Sequence, residues 1–303
     1  MALEPGPSIA AAFPENRYIT LNGLRLHYAD WGGDDALGTF VLLHGGAANT
    51  HWWDAVAPAL TGQGRVLALD FRGHGESQWA APDSYGPKGY VADTEAFLSQ
   101  LKVPVVLVGH SMGGMVALWV ATRKLIGLEM LVLADSPGIP PSLLRRLRWL
   151  RRQRRAQTGG RPELPSAEAV VRRFHLIPTA TTASAETLAR LALASAEELP
   201  NGHWAFRFDP QTRAWRRRGG HLPAPDPRAV QIPTLILRGA GSTIVSPRLA
   251  RWLHRKIAGS ELRELPHTFH HITLDDPAAT AKAISDFVRR HRAPYTQAQA
   301  RVM

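Results

Sequence analysis

The 303-residue sequence contains no cysteine. That absence excludes disulfides, thiolate zinc sites, iron-sulfur clusters and a cysteine nucleophile, and leaves the redox compartment open. Long apolar runs are missing as well. The stretch at 103–108 falls far short of the roughly 18 to 20 residues that a membrane span needs, so no transmembrane segment is expected. The first sixteen residues, MALEPGPSIAAAFPEN, lack a basic start followed by an apolar core, so a secretory signal is not expected and a cytoplasmic protein is the default. There is no collagen or coiled-coil period and no internal repeat. What is present is ordinary globular usage, 45% hydrophobic and 20% charged, on a chain long enough for one large domain or a core with a second lobe.

Lysine is absent from residues 136–233, yet this stretch holds 17 arginines against 7 acids, so it carries nearly all of the net charge of +11. A composition shift this sharp marks an inserted lobe in a balanced scaffold rather than a chain that is basic throughout. Nucleic acid is not an expected partner, because no recognised binding motif accompanies the charge.

Short β-rich runs recur at 18–21, 24–28, 40–43, 66–69, 105–108, 131–133, 235–237 and, more weakly, 262–265. Helical patterns fall between several of them, at 52–60, 90–101, 111–123, 247–257 and 277–291, the last two opening on proline. Strand and helix in alternation predict the α/β class, a mostly parallel sheet covered on both faces, with functional groups at the carboxyl ends of its strands. Residues 136–233 break the rhythm, with helix-like pieces at 141–157, 166–174 and 185–199 and no convincing strand pair. The expected organisation is a core over 1–135 and 234–303, interrupted by a helical, arginine-rich cap over 136–233.

The strongest chemical signal is Gly109-His110-Ser111-Met112-Gly113-Gly114, between the run at 105–108 and a helix. A serine on a tight strand-to-helix turn needs flanking glycines, and the turn lifts its hydroxyl out of the sheet toward the helix amino terminus, which favours negative charge. A dinucleotide-binding turn requires glycine where Ser111 stands. His44-Gly45-Gly46-Ala47 follows another strand, and such a turn can aim amides at a developing oxyanion; the expected donors are Gly46, with Ala47 as alternative, and Met112. Trp52, Trp53 and His110 are candidate walls of a substrate pocket, although paired aromatics on a helix also suit a core. Of thirteen histidines, those at 267, 270 and 271 lie in a loop between the last strand and the last helix, suited to a general base. No carboxylate at ligand spacing on one element supports a metal cluster, so no metal is expected.

Together, His44-Gly45-Gly46, the turn Asp70-Phe71-Arg72-Gly73-His74-Gly75-Glu76-Ser77 and the elbow from Gly109 to Gly113 resemble the α/β-hydrolase fold superfamily, and the resemblance covers nearly the whole chain. It implies a mostly parallel eight-stranded sheet flanked by helices, with a lid inserted after the sixth strand. It also implies a catalytic histidine seven residues before the proline that opens the last helix, which selects His270. Phe269 replaces the glycine usual before that histidine. The acid that often follows the seventh strand is missing, since Gly239 is followed by Ala240-Gly241-Ser242-Thr243; members that place it at the end of the sixth strand point instead to Asp135.

The function expected from these residues is a cofactor-independent serine hydrolase acting on a small-molecule carboxylic ester or related acyl substrate. In this reading Ser111 is the nucleophile, His270 the base and Asp135 the orienting acid. A lactonase, a carbon-carbon bond hydrolase and a cofactor-free haloperoxidase are alternatives on the same fold, and a weakly catalytic ligand receptor is an alternative of another class. A neutral His270 is required, so activity is expected to rise through about pH 6 to 7.5. The arginines around Leu143, Leu147 and Leu150 suit either a solvated lid face or an anionic surface or substrate.

Overall fold

The computed structural model describes residues 13–101, 103–138, 160–214 and 222–292. Eight strands form one sheet. They are β1 (Glu15–Leu21), β2 (Leu24–Asp30), β3 (Thr39–Leu43), β4 (Arg65–Leu69), β5 (Val105–His110) and β6 (Leu128–Ala134), followed by β9 (Thr234–Gly239) and β10 (Glu261–Leu265). The remaining two, β7 (Ala196–Glu198) and β8 (Trp204–Phe206), pair with each other outside the sheet. The spatial order is β1-β2-β4-β3-β5-β6-β9-β10. Pairing is antiparallel for β1 with β2 and β2 with β4, and parallel from β4 through to β10.

The central strands are buried along their whole length because both faces are covered, which is why they read as continuous apolar runs. Alternate side chains point to opposite faces. One face, with Val41, Leu43, Leu107, Leu131, Leu133 and Ile236, packs against helices α1 (Pro87–Leu98), α2 (Met112–Ala121) and α5 (Pro247–Lys256). The other, with Phe40, Leu42, Val106, Val108 and Val132, packs against α6 (Pro277–His291) and the 3-10 turn Ala57–Gln63.

Between β6 and β9 the described residues include α3 (Ala167–Arg173), capped by the Ser166 hydroxyl, and α4 (Ala185–Ala194), capped by that of Ser184. A helix reaching 199 was expected, but α4 stops at Ala194. The Ser195 hydroxyl turns back onto the Leu191 carbonyl, and Ala196–Glu198 pairs with Trp204–Phe206 around Gly202, whose φ of 78° the turn requires. The insertion thus contains a strand pair that its proline- and glycine-rich sequence concealed. Near 52–60, two 3-10 turns, Thr50–Trp53 and Ala57–Gln63, replace the expected helix; Asn49 caps the first, and Pro58 opens the second without an amide hydrogen.

The helix-like piece at 141–157 and the arginines at 216–218 lie outside the described residues. Within the described part of the insertion, seven arginines meet seven acids, so the excess charge resides in the ten arginines of 139–159 and 215–221. No helix among the described residues is long and apolar enough to cross a membrane.

Candidate active site

Ser111 sits between β5 and α2 with φ 52° and ψ −112°, a conformation that costs a non-glycine residue strain and is held by its surroundings. Its amide donates to the Ala134 carbonyl at 3.1 Å, and its own carbonyl accepts the Ser136 hydroxyl at 2.8 Å. Gly113 permits the helix to begin so close to the sheet: a Cβ there would stand 2.4 Å from the Leu43 carbonyl oxygen.

The loop after β10 brings His270 to this serine. Its Nε2 accepts the Ser111 hydroxyl at 3.0 Å, and its Nδ1 donates to Asp135 Oδ2 at 2.7 Å. These bonds fix one neutral tautomer, with the free lone pair on the nitrogen that faces the hydroxyl. Asp135 follows β6, is fully buried and has φ 42°. Besides His270 it accepts the Gly239 amide at 2.9 Å and the Ser242 hydroxyl at 2.6 Å. Three donors on one carboxyl group suit its ionised form. Burial pushes its pKa up, while the Ser242 and Gly239 hydrogen bonds and the Arg238 charge oppose that rise. Burial pushes the His270 imidazole below its ordinary value; the neighbouring His271 adds to this and Asp275 opposes it.

On the opposite side of Ser111, the loop after β3 is pinned by His44. Its Nδ1 donates to the Gly45 carbonyl at 2.7 Å and its Nε2 accepts the Phe71 amide at 3.0 Å. The Asp70 carboxylate receives the Thr50 amide further along the same loop. Met112 opens α2, ahead of the intrahelical ladder, and among the described residues neither its N–H nor that of Gly46 has a hydrogen-bond partner. The two positions are neighbours: a Cβ on Gly46 would stand 3.7 Å from Met112 Sδ.

The candidate pocket residues separate. Trp52 packs beside the loop with Ala48, against Leu176 and Leu191 of the insertion and Leu274 after His270. Trp53 does not join it. Its ring is fully buried in the core with Val56 and Leu60, the alternative role that paired aromatics on a helical turn also suit. His110 is buried as well, with Nε2 donating to the His270 carbonyl at 2.9 Å and rings 5.0 Å apart, so it supports the histidine loop from below rather than facing a substrate. Of the other loop histidines, His267 is exposed, and His271 donates to the Pro178 carbonyl at 2.9 Å. Among the described residues no group of three or more histidines and carboxylates could hold a metal ion.

Ser242 and Asp275 were not singled out from the sequence as site residues. Ser242 had a positional signal, three residues beyond Gly239 where an acid was sought. Asp275 had none.

The profile of the alpha/beta hydrolase family matches residues 40–283. An esterase of Mycobacterium tuberculosis, Rv0045c, is 29% identical over 261 residues, covering 84% of this chain and 83% of its own. A pimeloyl-[acyl-carrier protein] methyl ester esterase of Neisseria meningitidis is 26% identical over 271 residues, covering 84% and 78%. The crystal structure of an alpha/beta hydrolase from Novosphingobium aromaticivorans superposes with a TM-score of 0.74 at 28% identity, covering 92% and 99%.

Proposed function

The chain belongs to the alpha/beta hydrolase family, and from that footing we propose that it is a serine hydrolase that cleaves carboxylic esters through an acyl-enzyme intermediate. The observation that carries this reading is the continuous chain of hydrogen bonds from Ser111 Oγ through His270 to Asp135. Ser111 attacks the ester carbonyl as His270 Nε2 takes its proton. The amides of Gly46 and Met112 receive the oxyanion, each such donor contributing about 10²- to 10³-fold to the rate. His270 returns the proton to the departing alcohol and then activates water to release the acid, while Asp135 keeps the imidazole in the productive tautomer and stabilises its cation.

The Mycobacterium tuberculosis and Neisseria meningitidis relatives named above are esterases, which supports an ester over a lactone or a carbon-carbon bond as the scissile group. Asp135 stands 2.7 Å from His270, which supports a catalyst over a weakly catalytic receptor, and steady multiple turnover is the outcome that separates the two. The described residues of the insertion, 160–214 and 222–233, act in this reading as a cap over the site, and Trp52 with Leu176, Leu191 and Leu274 walls the acyl side.

The test is a screen of acyl esters of graded chain length, thioesters and lactones against the purified wild type and Ser111→Ala. Multiple turnover of esters that requires Ser111 supports the proposal. Preference for lactones by more than about tenfold in kcat/KM would replace the substrate class while keeping the triad.

A further inference from the structure

The carboxylate of Asp275 lies five residues beyond His270 and divides its two oxygens between different parts of the molecule. Oδ2 accepts the amide of Phe269, the residue immediately before His270, at 2.7 Å. Oδ1 accepts the Thr181 hydroxyl and, at 2.9 Å, the Thr182 amide, both in the insertion. The Thr182 hydroxyl adds a bond to the Asp275 backbone carbonyl at 3.1 Å. On the far side of His270, His271 donates to the Pro178 carbonyl at 2.9 Å. An inserted segment of five residues, 178–182, is therefore bonded to the histidine loop at His271 and Asp275, and through Asp275 it reaches Phe269 on the other side of the base. Beneath the same junction, Leu176 and Leu191 of the insertion meet Leu274 of this loop and Ala48 and Trp52 of the oxyanion loop.

Capping the last helix does not explain Asp275. The neighbouring Asp276 does that, accepting the Ala279 amide at 2.8 Å. Nor is Asp275 a second orienting acid, because both nitrogens of His270 are occupied by Ser111 and Asp135.

We propose that Asp275 is a positioning residue that transmits the seating of segment 178–182 to His270, so that the base is held at Ser111 only while the insertion is seated. The inference deepens the serine-hydrolase reading and rests on it. A carboxylate is rigid, so two donors from the insertion on Oδ1 fix the plane in which Oδ2 meets the Phe269 amide. When 181–182 lifts, the carboxylate turns and the amide next to His270 is released. Misplacing a reacting group by about 1 Å costs on the order of a hundredfold in rate, which makes a modest loosening visible in turnover. Substrates whose acyl groups prop the insertion away would thus lose kcat rather than bind poorly.

The experiment uses Thr181→Val/Thr182→Ala, which removes two hydroxyls from the insertion and leaves Asp275 and the histidine loop intact. Its partner, Thr181→Ser/Thr182→Ser, keeps both hydroxyls. For each, kcat and KM on a small acetyl ester are measured alongside the rate of covalent labelling by a fluorophosphonate, with folding checked by circular dichroism. Labelling reports His270-assisted activation of Ser111 without any demand on substrate fit. The first variant is expected to lose about tenfold in kcat and in labelling rate with KM within about twofold of wild type, and the serine pair to restore both. Wild-type kcat and labelling in the first variant, or a rise in KM alone, would overturn the proposal. Labelling that persists in Ser111→Ala would instead remove the reading of the site on which it rests. Labelling that needs Ser111 and ignores the threonines removes the coupling only.

Discussion

The Ser242 hydroxyl donates to Asp135 Oδ2 at 2.6 Å, so the loop after β9 supplies a hydrogen bond to that carboxylate rather than a carboxylate of its own. The same oxygen of Ser242 accepts the amides of Ile244 at 3.2 Å and Val245 at 3.1 Å, which locks its rotor onto Asp135. Removing the Asp135 charge with Asp135→Asn is expected to lower kcat by up to about 10⁴. Ser242→Ala, which leaves the charge with one donor fewer, is expected to cost about tenfold. Steady-state kinetics of both variants check the ranking. If Ser242→Ala lost more than Asp135→Asn, the roles of the two residues would be reversed.

Burial depresses His270, so the neutral base survives to lower pH than an unburied imidazole would allow. The acid limb of kcat/KM is accordingly expected below about 6.5, lower than the sequence suggested. Sign and cause agree: a lowered pKa extends the neutral, proton-accepting form toward acid. A pH-rate profile on a neutral ester is the measurement, and a limb at or above about pH 7 would mean that solvation or the Asp135 charge outweighs burial in the free enzyme.

Two of the loop histidines, His270 and His267, should separate cleanly. His270→Ala is expected to remove nearly all turnover, whereas His267→Ala, at an exposed position with φ 57°, is expected to leave kcat unchanged. Kinetics of the two variants decide it, and a collapse for His267→Ala would overturn the assignment of the base.

Folding stability should fall in acid before most of the carboxylates titrate. His44, His74, His110, His270 and His271 are all depressed, burial being the largest cause in each, and His74 is pushed down to about 3. Below about pH 6.5 the unfolded chain binds protons at these sites while the folded chain does not, so stability declines as pH falls, by up to about 1.4 kcal/mol per unit for each. His51, raised by Asp54 against desolvation, and Asp135, raised by burial to about 7, contribute with the opposite sign. Chemical denaturation at about pH 7.5 and 5.5 should show the loss; equal midpoints would indicate that the buried imidazoles are protonated in the folded state.

Much of this molecule was legible because its signals are local. Eight apolar runs became the eight strands of the sheet, and the helix expected at 277–291 is Pro277–His291, since proline fixes one end and the periodicity is unbroken. The elbow was legible for the same reason, its glycines being demanded by a strained turn between strand and helix. Ser242 and Asp275 were not, because what defines them is a partner more than ninety residues away: Asp135 for one, Thr181 and Thr182 for the other. Trp53 was left between a pocket wall and the core by the sequence, because adjacent aromatics on one turn suit both, and it lies in the core. The strand pair β7–β8 escaped because each strand spans only three residues.

The central claim is that Ser111 forms a covalent acyl intermediate, and mass spectrometry of the protein after rapid quenching with an activated ester tests it most directly. The account predicts a mass increase of one acyl group, located by peptide mapping at Ser111, that decays on further incubation and is absent from Ser111→Ala. Steady ester turnover with no adduct at Ser111, or an adduct of equal occupancy in Ser111→Ala, would contradict it.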